Sequence, residues 1–194
     1  MAKPDTTLPP VIIGVTGGIA AYKVGAVIKA LREHADMYVV MTDAATKLVG
    51  PSTFANLTGH PVLIDLWDSS QHGNPIHIDI ADLAKALCIV PCTANVIGKL
   101  ANGIADDALT TLAISVDCPV IVAPAMNTRM WNHPIVQDNL GKLARFGYHI
   151  VPPGSGWLAC GTVGAGRLAE EGDVASAVIN ALAGKIAPPA APAD

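Results

Sequence analysis

Short, continuous apolar runs separated by longer stretches with helical spacing constrain this chain more than any other feature. The runs lie at residues 11–16, 37–42, 87–91, 120–123 and 149–151. They are rich in Val and Ile and do not alternate with polar residues. Strands of that kind are buried on both faces, which is the mark of a parallel sheet covered by helices. The segments between them repeat apolar residues every three or four positions, as in Ile19, Val24, Val27, Ile28 and Leu31. Further helical stretches are predicted at 43–58 (interrupted near Pro51), 77–86, 94–115 (with a break near Gly103), 132–146 and 173–183. Parallel strands need such crossovers, and crossovers are right-handed. The expected architecture is α/β: a single doubly wound, Rossmann- or flavodoxin-like domain with a mostly parallel sheet. Residues 61–67 read as a brief extended segment, 68–76 as an exposed loop and 154–166 as a Gly-rich loop. The domain is expected over 11–184, between a flexible N-terminus (1–10) and a disordered Ala/Pro-rich tail (185–194).

The charge content narrows the function classes. Only 14% of the 194 residues are charged, against 51% hydrophobic. So little charge on a small domain predicts that part of its surface is buried against other subunits. Net charge is −4 and there is no basic cluster, so nucleic acid is not an expected partner. No apolar run reaches the length of a membrane span, and the N-terminus lacks a signal peptide's apolar core, which predicts a cytoplasmic protein. Cys88 and Cys92 have no second pair to complete a zinc site, and with Cys118 they read as buried apolar residues; no metal site is expected. Cys160 differs, because a loop Cys among glycines is a reactive-thiol candidate.

Ligands in open α/β sheets bind at the carboxyl ends of the strands. Three such ends carry small neutral hydrogen-bonding residues. The first turn, Gly14 to Ala21, is Gly-rich and runs into a helix, so it can offer N–H groups to a phosphate. It lacks G-x-G-x-x-G spacing, and Thr42 followed by Asp43 ends the second strand where a dinucleotide site wants an acid. A mononucleotide fits better. The third run ends in Pro91-Cys-Thr-Ala-Asn-Val, with Thr93 and Asn95 beside another helix start. The fourth ends in Pro124-Ala-Met-Asn-Thr-Arg-Met-Trp. Asn127 there can hold a carboxylate or amide, with Met126, Met130 and Trp131 as apolar walls. The plainer alternative makes Asn127 a helix N-cap and Trp131 a core residue. Lys23 is the only base expected nearby. Neutral donors of this kind suit one phosphate and a polar ring system such as an isoalloxazine.

Residues 91–106 resemble the Pro-Ala-Ser-Ala-Asn-Thr motif and its extension, and 124–131 match Pro-x-Met-Asn-x-x-Met-Trp in full. By these motifs the chain resembles the homo-oligomeric flavin-containing cysteine decarboxylases, from about residue 11 to 183. That family includes phosphopantothenoylcysteine decarboxylase and the peptidyl-cysteine decarboxylases of lantibiotic and related pathways. The resemblance implies FMN held by Gly17, Gly18 and Ile19, by Thr42, Ala44, Ala45 and Thr46, by Thr93, Ala94, Asn95 and Val96, and by Ala125. It implies His77 as catalytic base, Asn127, Met130 and Trp157 as substrate contacts, and Cys160 as proton donor. It also implies a homotrimer, or a dodecamer built of trimers, with flavin near subunit contacts.

The implied reaction oxidises the substrate thiol to a thioaldehyde, with FMN taking the hydride, and then loses CO₂ to an enethiol. A peptide-type enzyme releases the enethiol, whereas a pantothenate-type enzyme returns the hydride and reprotonates through Cys160. Cys160 favours the second outcome. Asp82, five residues after His77 where Lys or Arg is common in pantothenate-type enzymes, would repel an anionic substrate and favours a peptidyl-cysteine. The length of 194 residues points the same way, because the bacterial pantothenate enzyme is usually fused to a ligase half. The expectation is therefore a peptidyl-cysteine substrate in a modified-peptide pathway, with phosphopantothenoylcysteine in coenzyme A biosynthesis as the alternative. A non-catalytic FMN-binding regulatory subunit and a prenylated-flavin synthase are the remaining alternatives. Retained His77, Asn127 and Cys160 argue against the first, and the Met-Asn-x-x-Met-Trp stretch against the second.

Overall fold

The structure is a computed structural model, and it describes residues 7–66, 76–157, 161 and 163–189. Five parallel strands form the central sheet: β1 (Pro10–Val15), β2 (Asp36–Met41), β3 (Ala86–Cys92), β4 (Val120–Pro124) and β5 (His149–Ile150). Their order is β2-β1-β3-β4-β5. Between β1 and β2 lie a 3-10 turn (Ile19–Lys23) and α1 (Val24–Leu31). After β2 come α2 (Asp43–Thr46), α3 (Pro51–Thr58) and α4 (Ile76–Leu83). The remaining helices are α5 (Ala94–Ala101), α6 (Ala108–Ser115), α7 (Thr128–Trp131), α8 (Pro134–Arg145) and α9 (Glu171–Leu182).

Because side chains alternate across a strand, each apolar run feeds two cores. Val11, Ile13, Val15, Val39, Met41, Cys88 and Val90 point to one face, where Val24, Leu31, Phe54, Val174 and Val178 cover them. Ile12, Val40, Leu87, Ile89 and Val122 point to the other, beneath Ile97, Leu109, Leu112, Leu140 and Leu143. This is why the strands read as continuous hydrophobic runs. The chain turns from β1 outward to β2, then returns to place β3 on the opposite side of β1. The crevice of a doubly wound sheet opens at that reversal, beyond the carboxyl ends of β1 and β3.

The structure corrects the sequence reading at several elements. Residues 154–166 are not simply a Gly-rich loop. Gly154–Trp157 (β6) and Val163–Arg167 (β7) pair as an antiparallel hairpin, with Trp157 opposite Val163 and Gly156 opposite Gly164. Glycines leave no apolar alternation to read, so the period-two signal is missing. The helical spacing from Ile19 to Leu31 opens as the 3-10 turn before α1. The 94–115 stretch, by contrast, breaks near Gly103 (φ +67°) as expected, into two helices, the second started by an Asp107–Thr110 capping box. Of the 61–67 segment, Leu63 forms a single bridge to Val40. The loop expected at 68–76 lies outside the described residues up to 75, and Ile76 already begins α4.

Phe54 on α3 is 1% exposed and fills the first core. Phe54→Ala should lower unfolding free energy by about 3–5 kcal/mol, read from chemical denaturation midpoints at unchanged m-value.

Candidate active site

Thr16 is fully buried at the end of β1, and its hydroxyl joins two strand ends. Its Oγ1 donates to the Pro91 carbonyl at 2.6 Å and accepts from the Thr93 N–H at 3.1 Å. The first Gly-rich turn is thereby fastened to the turn after β3. Gly17 fastens it to the turn after β2 in another way. A Cβ at Gly17 would collide with the Ala44 methyl, so the two backbones meet at a distance only glycine allows.

The turns after β2, β3 and β4 each open a helix through a polar cap. Thr42 accepts from the Ala45 N–H and caps α2, and Thr93 accepts from the Val96 N–H and caps α5. Asn127 caps α7, its Oδ1 accepting from the Arg129 N–H at 2.7 Å. Asn127 thus follows the plainer reading as a helix cap, and it also lines the cleft described next. Trp131 follows the plainer reading and packs half-buried against the second core.

A cleft of about 520 Å³ opens over the carboxyl ends of β1, β3 and β4. The first turn contributes Gly17, Gly18 and Ile19; the second contributes Thr93 and Ala94. Ala125, Met126, Asn127 and Met130 come from the β4 end, and Trp157 from β6. The remaining cofactor candidates lie around this wall rather than in it. Ala44 stands behind Gly17, Ala45 is in the first core with Thr42 and Thr46 beside it, Val96 is in the second core, and Asn95 is exposed. His77 falls in the first turn of α4, and its side chain is outside the described residues, as is Cys160 altogether. Asp82 is exposed on α4 and does not line the cleft.

The hairpin lies on the β4 end through glycines. Met126 N–H donates to the Gly166 carbonyl at 2.9 Å, and Thr128 Oγ1 donates to the Ala165 carbonyl at 2.8 Å. A Cβ at Gly164 would enter Thr128, and one at Gly166 (φ +114°) would enter the Met126 carbonyl.

Sequence reasoning missed Thr16, Tyr22 and Arg167. Thr16 carried a faint signal, a polar residue closing an apolar strand. Arg167 was hidden by the loop assignment, since nothing in a Gly-rich loop says which side chain turns inward. Lys23 is therefore not the only base in the cleft. Lys23 Nζ donates to Glu171 at 2.7 Å and Arg167 Nη2 to Glu170 at 2.8 Å. Burial pushes the Cys88 thiol up to about 12 and Cys118 to about 11, and raises Cys92 further still. These three are neutral, inert thiols at physiological pH. Among the described residues no cluster of His, Cys, Asp or Glu is arranged to hold a metal ion, and no helix is long and apolar enough to cross a membrane.

A family model described as Flavoprotein matches residues 2–183. The chain is 47% identical over 161 residues to the coenzyme A biosynthesis bifunctional protein CoaBC of Bacillus subtilis (strain 168), a match covering 82% of this chain. It spans 40% of the length of that relative. Among solved structures it is similar to the FMN-dependent cysteine decarboxylase SpaF, at 36% identity and a TM-score of 0.79, covering 91% of this chain and 96% of the other. It is also similar to a PPC decarboxylase mutant complexed with pantothenoylaminoethenethiol, at 33% identity and a TM-score of 0.79, covering 88% and 96%. With a doubly wound sheet, a cleft at its switch point and a family match over nearly its whole length, the chain belongs to the flavoprotein family.

Proposed function

We propose that this protein is an FMN-dependent decarboxylase of the cysteinyl group of phosphopantothenoylcysteine, a reaction of coenzyme A biosynthesis. The observation that carries the substrate is the 47% identity to a coenzyme A biosynthesis protein. The likeness to a PPC decarboxylase holding a pantothenoyl ligand supports it. This replaces the peptidyl-cysteine expectation. Its main support was repulsion by Asp82, and Asp82 stands exposed on α4, outside the cleft wall.

The wall fits FMN by its chemistry. Gly17, Gly18, Thr93, Ala94 and Ala125 present backbone and small side chains, and Ile19 adds an apolar one, with no acidic group among them. The turn at Thr42, Ala44, Ala45 and Thr46 backs Gly17, and Asn95 and Val96 begin α5 beside Thr93. Helix starts and close backbone approach are what a phosphate and a flat ring need. When bound, FMN supplies the hydride acceptor that no amino-acid side chain offers.

The chain's own residues do the rest. The α7 cap fixes the Asn127 amide, whose Oδ1 accepts from the Arg129 N–H, at the cleft wall where it meets a substrate carboxylate. A neutral amide holds that carboxylate without the ion pair that would favour the ground state over CO₂ loss. Met130 and Trp157 supply apolar cover that excludes water from the reacting carbons. His77 takes the thiol proton as general base. Cys160 returns a proton to the product carbon. Ile19, Tyr22, Met130, Trp157 and Val163 are large, apolar and exposed. Together with the low charge content they support a homotrimer, alone or as the unit of a dodecamer, that covers them.

His77→Asn should lower kcat by at least about 10²-fold while bound flavin stays stoichiometric by absorbance. Turnover near the wild-type rate would remove His77 as the base.

Given phosphopantothenoylcysteine and, separately, peptides ending in Cys, the enzyme should release CO₂ alone from the first and leave the second intact by mass spectrometry. Loss of CO₂ plus two hydrogens from the peptide, with no turnover of the phosphorylated substrate, would restore the peptide reading.

A further inference from the structure

Among the described residues lining the cleft, the charged ones are Lys23 and Arg167, and none is acidic. In a chain of net charge −4 this makes the cleft a local exception. The two cations come from different elements, the first turn and β7, yet they converge on consecutive carboxylates at the start of α9. The Lys23 ammonium, and beyond it the Arg167 guanidinium, hold the Glu171 carboxyl below the usual range. The two pairs differ in firmness. Lys23 and Glu171 have side chains only 18% and 27% exposed, whereas Arg167 and Glu170 stand at 37% and 63%. An exposed pair three residues apart is weak and exchanges readily. One Arg167 nitrogen, Nη2, serves Glu170, and the planar guanidinium has further N–H donors arranged as a fork that matches phosphate oxygens.

We propose that Arg167, with Lys23 behind it, reads the phosphomonoester of the substrate and so sets the preference for a phosphorylated pantothenoyl ligand. This rests on the phosphopantothenoylcysteine reading above. Arg167 then supplies the charge complementarity that Asp82 withholds. It sits with the β4 end, because β7 lies on Met126 and Thr128 beside Asn127. The resemblance puts cofactor anchors at the Ala44–Thr46 turn, on the opposite side of the switch point after β2, and also along the shared wall at Gly17–Ile19, Thr93–Val96 and Ala125. Arg167 is assigned to the substrate's phosphate because it sits on the β4 side beside Asn127, and flavin retention in Arg167→Gln separates this from a contact to the FMN phosphate.

The test titrates FMN-loaded wild type, Arg167→Gln and Arg167→Lys with 4′-phosphopantetheine and with pantetheine, following the flavin absorbance change. Wild type should bind the phosphorylated ligand about tenfold or more tightly than pantetheine, in a salt-dependent manner. Arg167→Gln should lose that preference with pantetheine affinity and flavin content unchanged, and Arg167→Lys should recover part of it. A preference that survives in Arg167→Gln overturns the inference and leaves the substrate reading standing. Equal wild-type affinity for both ligands overturns the inference, and so does loss of FMN from Arg167→Gln, which would assign the guanidinium to the cofactor. A wild type that binds neither ligand overturns the substrate reading and the inference with it.

Discussion

A single buried hydroxyl holds the candidate site together. Thr16 closes β1, donates to the Pro91 carbonyl and accepts from the Thr93 N–H, so two strand ends at the switch point share one side chain. Thr16 and the Pro91 carbonyl it bonds are buried, where an unpaired polar group would be expensive. The positions of Gly17, Gly18, Thr93 and Ala94 all follow from that joint. The regular ladder of a parallel sheet stops at its strand ends, so the loops there need contacts of their own. Here a threonine does at β1–β3 what the Gly17–Ala44 contact does at β1–β2.

The fold was legible because its determinants are local and apolar. Val and Ile runs placed β1 to β4, and helical spacing placed most of the crossovers. The site was legible where polar residues interrupt those runs at strand ends, as at Thr93 and Asn127. The hairpin was not, because Gly154, Gly156, Gly164 and Gly166 erase the alternation that reveals a strand. Arg167 was lost with it. The orientation of a side chain on β7 depends on pairing with β6, and that pairing cannot be read from spacing alone. Trp131 looked like a cleft wall in sequence, yet the two residues that do wall the cleft from α7 and β6 are Met130 and Trp157. Helix phase decided the first and hairpin register the second.

Asp82 shows the opposite error. In sequence its offset from His77 made it look like a substrate contact, and that distance carried the peptide expectation. Offset along a helix says which face a residue shares with another, but not what that face meets. On α4 Asp82 points to solvent, and the cleft takes its charge from Lys23 and Arg167 instead.

The glycine contacts between the hairpin and the β4 end have a consequence for how such a protein can change. Gly164 and Gly166 bring backbone against Thr128 and Met126, with main-chain carbonyls taking the hydrogen bonds. The seating of the hairpin thus depends little on the identity of its outward side chains. Residues such as Trp157 and Val163, mutually paired and largely exposed, can be exchanged while the Asn127 amide keeps its place. The hairpin is a replaceable panel on a fixed mount. Its face can be refashioned without moving the capped Asn127 amide at the cleft wall.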